Sequence, residues 1–337
     1  MKKPSKARYL QEIDRLVPQV RRQYTDWVRR LVDAASVTSV ERWITTGNID
    51  QMLREIRITV PSLTDIAEAV RDIFRSGGSF EEPVFAEARF TFDIRNPEAE
   101  LWLRDNSSKL ITGIVASQRQ AVQTALESGV REGKGPRSIA LDIIGRRDTT
   151  GHRRGGIVGL NRPQASYVGA AYNELSSGDP SLLRSYLTRE RRDRRFDATV
   201  RRAIDGRPLT PKQVNQITGR YSDRLLQLRG EMIARTETIS AFNAGRDQAW
   251  NQAVEEGLID QNFITNRWSA TGDALTRDSH MDMNNQKQPH GQPFRSPLGS
   301  LMRYPGDTGL GAKAEDVINC RCFLERSADF IAMEAAA

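Results

Sequence analysis

The sequence predicts a mainly α-helical protein, with helical N-terminal and middle regions followed by a small, loop-rich α+β module at the C-terminal end. Apolar residues recur at spacings of three and four over much of residues 9–256, as they do on one face of a helix. Residues 271–311 are instead rich in Gly, Pro and Asn, which is typical of loops. Short apolar segments at residues 263–268 and 320–324 flank this tract and predict strands.

The first predicted helix covers residues 9–35 and carries an apolar stripe from Leu10 to Leu31. Pro18 should kink this helix or lie near its start. The stripe predicts either a core-facing surface or a face that docks on a partner. Further helices are expected up to residue 74, over 110–130 and over 138–144, with a turn at 76–79 and strand-like alternation at Phe90, Phe92 and Ile94.

Two more helices are predicted at residues 211–230 and 232–256, the second ending at Gly257. A strand at 263–268 and a closing strand at 320–324 then frame the C-terminal module. A chain of 337 residues is long enough for two or three domains. We therefore expect an N-terminal helical region at 1–100, a helical middle region at 101–230 and the C-terminal module at 231–337.

The bulk composition limits the classes of protein that fit. The net charge of +7 favours a polyanionic partner, or simply keeps the protein soluble. No apolar run is long enough to cross a membrane, and the first residues lack the apolar segment of a secretory signal. Cys320 and Cys322 are too close in sequence for an unstrained disulfide, which excludes a disulfide scaffold and predicts a reducing compartment.

The most basic part of the chain is residues 184–207, the arginine-rich segment, with nine arginines against four acidic residues. Arginine can hold phosphates through paired hydrogen bonds, so this segment is a candidate for contact with DNA. The alternative is a solvated helix face with internal Arg–Asp pairs. The candidate DNA-binding residues are Arg191, Arg192, Arg194 and Arg195.

A second basic stretch, residues 146–159, combines arginine with glycine and predicts a mobile loop. It lacks the Gly-Lys-Ser/Thr ending of a phosphate-binding P-loop, so its glycines are weak support for a nucleotide site.

The C-terminal module contains a possible metal set. His280, His290, Cys320 and Cys322 together would suit tetrahedral zinc, and a metal would help to fix the long loop between them. The alternative is that the cysteines are small buried residues on the closing strand, where alternation would bury only one of them. No cofactor is certain from the sequence, and a structural zinc ion is the one considered.

Catalysis is the alternative for the same module. Asp273, Arg277, Asp278 and His280, with Glu237 on the preceding helix, could form the site of a metal-dependent enzyme acting on nucleic acid or a nucleotide. These residues can equally satisfy one another and the loop backbone. Because no nucleophile elbow, P-loop or His-Glu-x-x-His pattern is present, we expect a protein that is not an enzyme.

The order of motifs in the last hundred residues resembles the phage head morphogenesis, or minor head protein, family that is named after the F protein of phage Mu. The matching stretches are Ile233–Glu237, Asn243–Arg246, Trp268–Ala270, Asp273–His280, Tyr304–Asp307 and Ile318–Cys322. The resemblance implies a structural minor capsid protein of a tailed phage. Such a protein would be assembled in the bacterial host cytoplasm, lie inside the virion near the packaged DNA, and contact portal and head proteins.

Overall fold

The computed structural model describes residues 4–336 and confirms the predicted fold class. Within these residues it contains the α-helices α1 Lys6–Ala34, α2 Val37–Thr45, α3 Ile49–Glu55, α4 Thr64–Glu81, α5 Pro97–Arg131, α6 Pro136–Ile144, α7 Arg162–Ser176, α8 Pro180–Thr188, α9 Asp197–Ile204, α10 Pro211–Glu255, α11 Asp278–Asp282, α12 Ala314–Val317 and α13 Phe330–Ala336. Its strands, all short, are β1 Arg146–Arg147, β2 Arg153–Arg154, β3 Ile264–Ser269, β4 Lys287–Pro289, β5 Phe294–Arg295, β6 Leu301–Met302 and β7 Phe323–Ala328.

The chain forms two compact units. Unit 1 comprises residues 1–21, 66–108 and 231–337, and unit 2 comprises residues 22–65 and 109–230. The predicted boundaries after residues 100 and 230 concern consecutive sequence regions and stay predictions. None of the helices in residues 4–336 combines the length and hydropathy that crossing a bilayer requires. Residues 1–3, where a signal segment would begin, lie outside the described residues.

Helix α1 contains the predicted apolar stripe and continues through Pro18 without ending. Ile13, Val17 and Val20 along it are all buried, and Tyr9 packs against Phe242 in unit 1. In unit 2, the buried Trp27 donates its indole N–H to the Ser62 hydroxyl at 3.1 Å. The stripe therefore belongs to the core, and the interpretation of it as a free docking face is wrong.

Two glycines that were predicted to form a turn lie instead inside helix α4. A Cβ atom at Gly77 would overlap the carbonyl of Phe242 on α10, and one at Gly245 on α10 would overlap the carbonyl of Phe74 on α4. The glycines of the two helices thus allow their backbones to touch in unit 1. The predicted turn at 76–79 is wrong because close packing, and not chain reversal, requires glycine here.

The alternating segment that follows is also not a strand. Residues 82–88 form a short 3₁₀ helix, and the backbone after it is anchored by side chains instead of a neighbouring strand. The Phe92 N–H donates to the Glu82 carboxylate at 3.2 Å, and the Asp93 N–H donates to the Gln252 side chain at 2.9 Å. Phe90 and Phe92 are buried, so their alternation reports burial without sheet pairing.

Helix α10 is continuous over the two helices predicted at 211–256, and its C-terminal part supports a small sheet in unit 1. The sheet has the strand order β4–β3–β7 and is antiparallel throughout. Ile264, Asn266 and Trp268 on β3 are buried and alternate with more exposed residues. The Arg246 side chain of α10 donates to the Leu324 carbonyl of β7 at 2.9 Å, which joins helix to sheet.

In unit 2 the predicted mobile loop is an ordered hairpin, formed by β1 and β2. The buried Arg153 donates to the carbonyl of Gly145 at 2.9 Å, and the backbone N–H of Gly155 donates to Asp223 of α10 at 2.9 Å. Helix α7, which follows, begins with a capping box between Asn161 and Gln164. The expectation of mobility is corrected because arginine and glycine here make specific backbone contacts.

Candidate metal centre

Three potential metal ligands come together in the C-terminal module. His280 lies on the short helix α11, and Cys320 and Cys322 lie in the turn between α12 and β7. The His280 Nδ1 atom is 3.6 Å from the Cys320 sulfur and 3.3 Å from the Cys322 sulfur. Each of the three side chains is only 1% exposed, so the site is closed to bulk solvent.

These separations fit a metal ion. With Zn–S bonds of about 2.3 Å and Zn–N bonds of about 2.0–2.1 Å, the nitrogen and sulfur ligands of a tetrahedral zinc ion lie about 3.6 Å apart. All three ligand atoms lie within 4.8 Å of one another. Thiolate and imidazole are also the ligands that zinc favours. The residues present therefore fit a zinc ion that takes three protein ligands from this chain.

The cysteines do not lie on the closing strand, because β7 begins only at Phe323. The expectation that alternation would bury only one of them is wrong: both are buried and both are free thiols. The turn points both sulfurs inward, while Arg321 between them reaches Asp273 at 2.5 Å. The Cys-x-Cys spacing therefore places two soft ligands on the same side of a turn.

The two thiols have opposite pKa shifts. A hydrogen bond with Cys322, supported by His280, holds the pKa of the Cys320 thiol well below its ordinary value. Sharing the proton with Cys320, together with burial, raises the pKa of the Cys322 thiol. One thiol of the pair is thus set up to lose its proton first, which is the form that binds a metal.

Asp316, on α12, supports the histidine from its other side. Its carboxylate lies 3.6 Å from His280 Nε2, accepts a hydrogen bond of 2.6 Å from Ser296, and is fully buried. Burial pushes the pKa of Asp316 up, but hydrogen bonds from Ser296 and Ser300 and the nearby His280 outweigh it and leave the pKa lowered. A carboxylate behind a ligating histidine is a common arrangement at metal sites, since it fixes the ring orientation.

Aromatic packing fixes the same ring. Trp268 on β3 meets His280 edge to face, with ring centroids 5.6 Å apart, and Phe294 on β5 packs against Trp268 at 5.4 Å. The Nε2 atom of His280 has no hydrogen-bond partner in the described structure.

The sequence did not identify Asp316, because a single acidic residue before Ile318–Cys322 carries no distinguishing signal.

His290, the fourth predicted ligand, is not brought to this cluster. Its backbone N–H donates to the Ile264 carbonyl at the start of β3, whereas His280 packs against Trp268 near the end of that strand. Four residues of extended strand separate the two positions by about 14 Å. His290 Nε2 instead lies 2.8 Å from the Asn251 side chain, and burial lowers the pKa of this histidine.

Two residues of the alternative catalytic set, Asp273 and Arg277, have partners of their own. Asp273 contacts Arg321 and Thr276, and Arg277 donates to the Ile318 carbonyl. Burial raises the pKa of Glu237 to about 7. Of this set, His280 is the residue that belongs to the metal cluster.

The predicted DNA-binding arginines lie in unit 2 and are largely engaged in ion pairs. Arg192 makes two hydrogen bonds of 2.9 Å to Asp197, and Arg195 holds Asp193 through Nε and Nη2. Arg191 is exposed and lies 3.8 Å from Glu190, and Arg194 is exposed. Their role in DNA contact stays a prediction.

Comparison with known proteins supports the resemblance seen in the sequence. Residues 209–325, about a third of the chain, match the family model described as phage Mu protein F like protein. Neither the curated proteins nor the solved structures contain a significant match. The matched residues include α10, the strands β3 and β4, the start of β7 and the His280–Cys320–Cys322 cluster. This segment is therefore similar to phage Mu protein F like proteins, a family of phage head morphogenesis.

Proposed function

We propose that this chain is a structural minor capsid protein of a tailed phage, incorporated into the head near the portal during assembly. The observation that carries the proposal is the family match over residues 209–325. The commitment of Asp273 and Arg277 to separate partners supports a role in binding over a role in catalysis. The proposed partners are portal and head proteins, and the chain would also contact packaged DNA without sequence preference.

Incorporation into particles tests this function. Heads purified from a phage that encodes this chain should contain it in a few copies each, as counted by quantitative mass spectrometry. A matched phage with the gene deleted should give heads that are malformed or fail to package DNA. The proposal is overturned if purified heads lack the chain, or if deletion leaves head yield and DNA content unchanged.

Within this function, zinc would stabilise the C-terminal module. His280, Cys320 and Cys322 would hold the ion, and Asp316 would keep the histidine ring in position. The ion would link α11 to the turn before β7, across a tract that has only short strands of its own. The proposed contribution of the metal is therefore to the fold and not to a reaction.

Metal analysis separates the three clustered residues from His290. The purified protein should contain close to one zinc per chain, and the Cys322→Ser variant should contain less than about 0.2, since structural zinc binds tightly. His290→Ala should retain the zinc, because the structure places His290 against Asn251. Zinc content that is low in the unmodified protein, or that is lost in His290→Ala and kept in Cys322→Ser, would contradict the assignment.

The second candidate function is a metal-dependent enzyme that acts on nucleic acid or a nucleotide. The observation that favours it is the number of ligands, because catalytic zinc typically has three protein ligands and one open position. The zinc-loaded protein would then convert DNA, RNA or a nucleoside triphosphate in a manner lost in His280→Ala. Such turnover would replace the structural proposal, and its absence across these substrates would remove the rival.

A further inference from the structure

Unit 2 contains a basic cleft that none of the predicted DNA-binding arginines lines. The cleft has a volume of about 850 Å³ and lies between the β1–β2 hairpin and the first turns of α10. Five cationic side chains line it against two carboxylates, those of Asp148 and Asp223. The cations are Arg146, Arg147 and Arg154 on the hairpin side, and Lys212 and Arg220 on the helix.

Each of the two carboxylates already has a partner, which reduces its repulsion of a bound anion. Asp148 is paired with Arg154 at 3.2 Å, and Asp223 accepts the Gly155 N–H at 2.9 Å with Arg220 at 3.7 Å. Arg146 is likewise paired, with Asp142 at 2.8 Å, so the cations that lack a carboxylate partner are Arg147 and Lys212 among the described residues. Arg147 donates to the backbone carbonyls of Gly151 and Asp33.

Lys212 is exposed in the first turn of α10. In the described part of the chain, neither Arg147 nor Lys212 forms an ion pair with a carboxylate. The cleft therefore holds positive charge that the protein itself does not neutralise.

The walls of the cleft are held in place before any ligand arrives. The Ser222 hydroxyl of α10 donates to the Gly156 carbonyl at 2.7 Å, next to the bond between Gly155 and Asp223. Gly155 has a φ of +74°, and a Cβ there would overlap the backbone of Gly219. The hairpin and the helix thus meet backbone to backbone, which fixes the spacing of the cations on the two walls.

The chemistry of the lining identifies the ligand. The remaining lining residues are Thr149, Asn215, Gln216 and two glycines, so no apolar or aromatic side chain lines the cleft in the described structure. Small-molecule sites and the centres of protein interfaces depend on apolar anchors, and single strands are held by stacking on aromatic rings. Contacts with a duplex backbone need only cations and polar donors. We infer that this cleft binds the phosphate backbone of duplex DNA without sequence preference.

The helix positions suit contacts with two different phosphates. Lys212 and Arg220 are eight residues apart on α10, which is about 12 Å along the helix axis. This distance is too long for both to hold one phosphate, so each would meet a different one. Gln216, between them in the lining, offers an amide donor to the same strand. The inference does not depend on the proposed role in the head, because it concerns binding by the isolated chain.

The test measures binding of the full chain to a labelled duplex of random sequence by fluorescence anisotropy, at salt concentrations from 50 to 300 mM. Each lost phosphate contact should reduce the slope of log affinity against log salt by about 0.9. The Lys212→Gln/Arg220→Gln variant should therefore lose about 1.8 from the slope, with affinity at low salt lowered on the order of tenfold. The matched control is Arg22→Gln/Arg71→Gln, which removes the same charge from two exposed arginines outside the cleft and should change affinity less than about twofold.

A gain-of-function variant guards against misfolding of the double variant. Gln216→Lys adds a cation to the exposed face of α10 and should steepen the slope by about 0.9. The inference is overturned if the cleft variants leave the slope unchanged, or if the control variant loses affinity in their place. Tighter binding of poly-glutamate than of duplex DNA at equal charge would also overturn it, because the cleft would then fit an acidic protein. Incorporation into heads is measured separately, so failure here leaves the proposed function standing.

Discussion

The arginine-rich segment and the Cys/His cluster were both predicted from sequence as ligand sites, but their polar groups are arranged differently in the fold. In the segment, Arg192 and Arg195 direct their guanidinium groups at Asp197 and Asp193. In the cluster, the His280 Nδ1 atom and two sulfurs face one another in a closed space. Polar residues that satisfy each other stabilise the protein, whereas buried ligand atoms that converge indicate an additional bound group.

The largest expected effect concerns an arginine that is paired still more completely. The Arg246 guanidinium is buried in unit 1, where it contacts the Glu81 carboxylate at 2.5 Å, and Trp250 also donates to Glu81 at 3.0 Å. Arg246→Ala leaves a buried carboxylate without its counter-charge, so it should lower the free energy of unfolding by about 3–5 kcal/mol. Urea denaturation measures this change.

The control for Arg246 is an exposed arginine in the same unit. Arg71→Ala, on the surface of α4, should change the free energy of unfolding by less than about 0.5 kcal/mol. Equal effects of the two substitutions would show that pairing of buried arginines does not account for the stability of this unit.

The next largest effect concerns the zinc ion that we propose for the Cys/His cluster. A ligand that binds only the folded state at about a thousand times its dissociation constant adds about 4 kcal/mol to stability. A zinc chelator should therefore lower the thermal midpoint of the unmodified protein and leave Cys320→Ser/Cys322→Ser unaffected. His290→Ala should stay sensitive to the chelator, since His290 lies away from the cluster. A midpoint that the chelator does not move would argue for a metal-free cluster.

Much of the fold was predictable because the period of apolar residues reports which face of a helix is buried. The errors occur where one residue type serves two purposes. Glycine in Ser76–Ser79 permits close helix packing and not a turn, and the Phe90–Ile94 alternation reflects burial without strand pairing. Local sequence cannot distinguish these uses, because the partner is Phe242 in one case and Gln252 in the other, both distant along the chain.

The sequence predicted the types of metal ligand correctly, but only some of the residues that form the site. The Cys320–Cys322 spacing and a nearby histidine identified three residues that do converge. Which histidine takes part depends on tertiary contacts, because His280 packs against Trp268 near the end of β3, whereas His290 is bonded to Ile264 at its start. Asp316 and the cleft around Gly155 require the tertiary contacts of α12 and α10, which no sequence pattern encodes.

A smaller effect separates neighbours within the arginine-rich segment. Arg192 and Asp197 are both largely buried and share two hydrogen bonds, whereas Arg194 is exposed. Arg192→Gln should lower the free energy of unfolding by about 2 kcal/mol, because it leaves Asp197 poorly paired. Arg194→Gln, the matched control, should stay within about 0.5 kcal/mol in the same urea titration. Equal changes in unfolding free energy for the two variants would mean that the pairing of Arg192 with Asp197 adds no stability beyond that of a solvated arginine.

The smallest expected effect is a dependence on pH in the same segment. Hydrogen bonds from Arg195 lower the pKa of Asp193 to about 2, below the value of about 3.9 for an unfolded aspartate. A lowered pKa stabilises the fold above the unfolded value, and this contribution disappears as the pH falls through the folded value. Since Arg195 is 74% exposed, solvent limits the contribution to about 1 kcal/mol.

The Asp193→Asn variant isolates the stabilisation due to the charge of Asp193, because asparagine can still cap the turn that begins at Arg194. The unmodified protein should exceed Asp193→Asn in unfolding free energy by about 1 kcal/mol at pH 5, and the difference should shrink as the pH falls from 4 to 2. Subtracting the two curves removes the titration of all other carboxylates. A difference that stays constant over this range would mean that Asp193 acts through its shape and not its charge, and the pairing of Arg195 would then lose its role in stability.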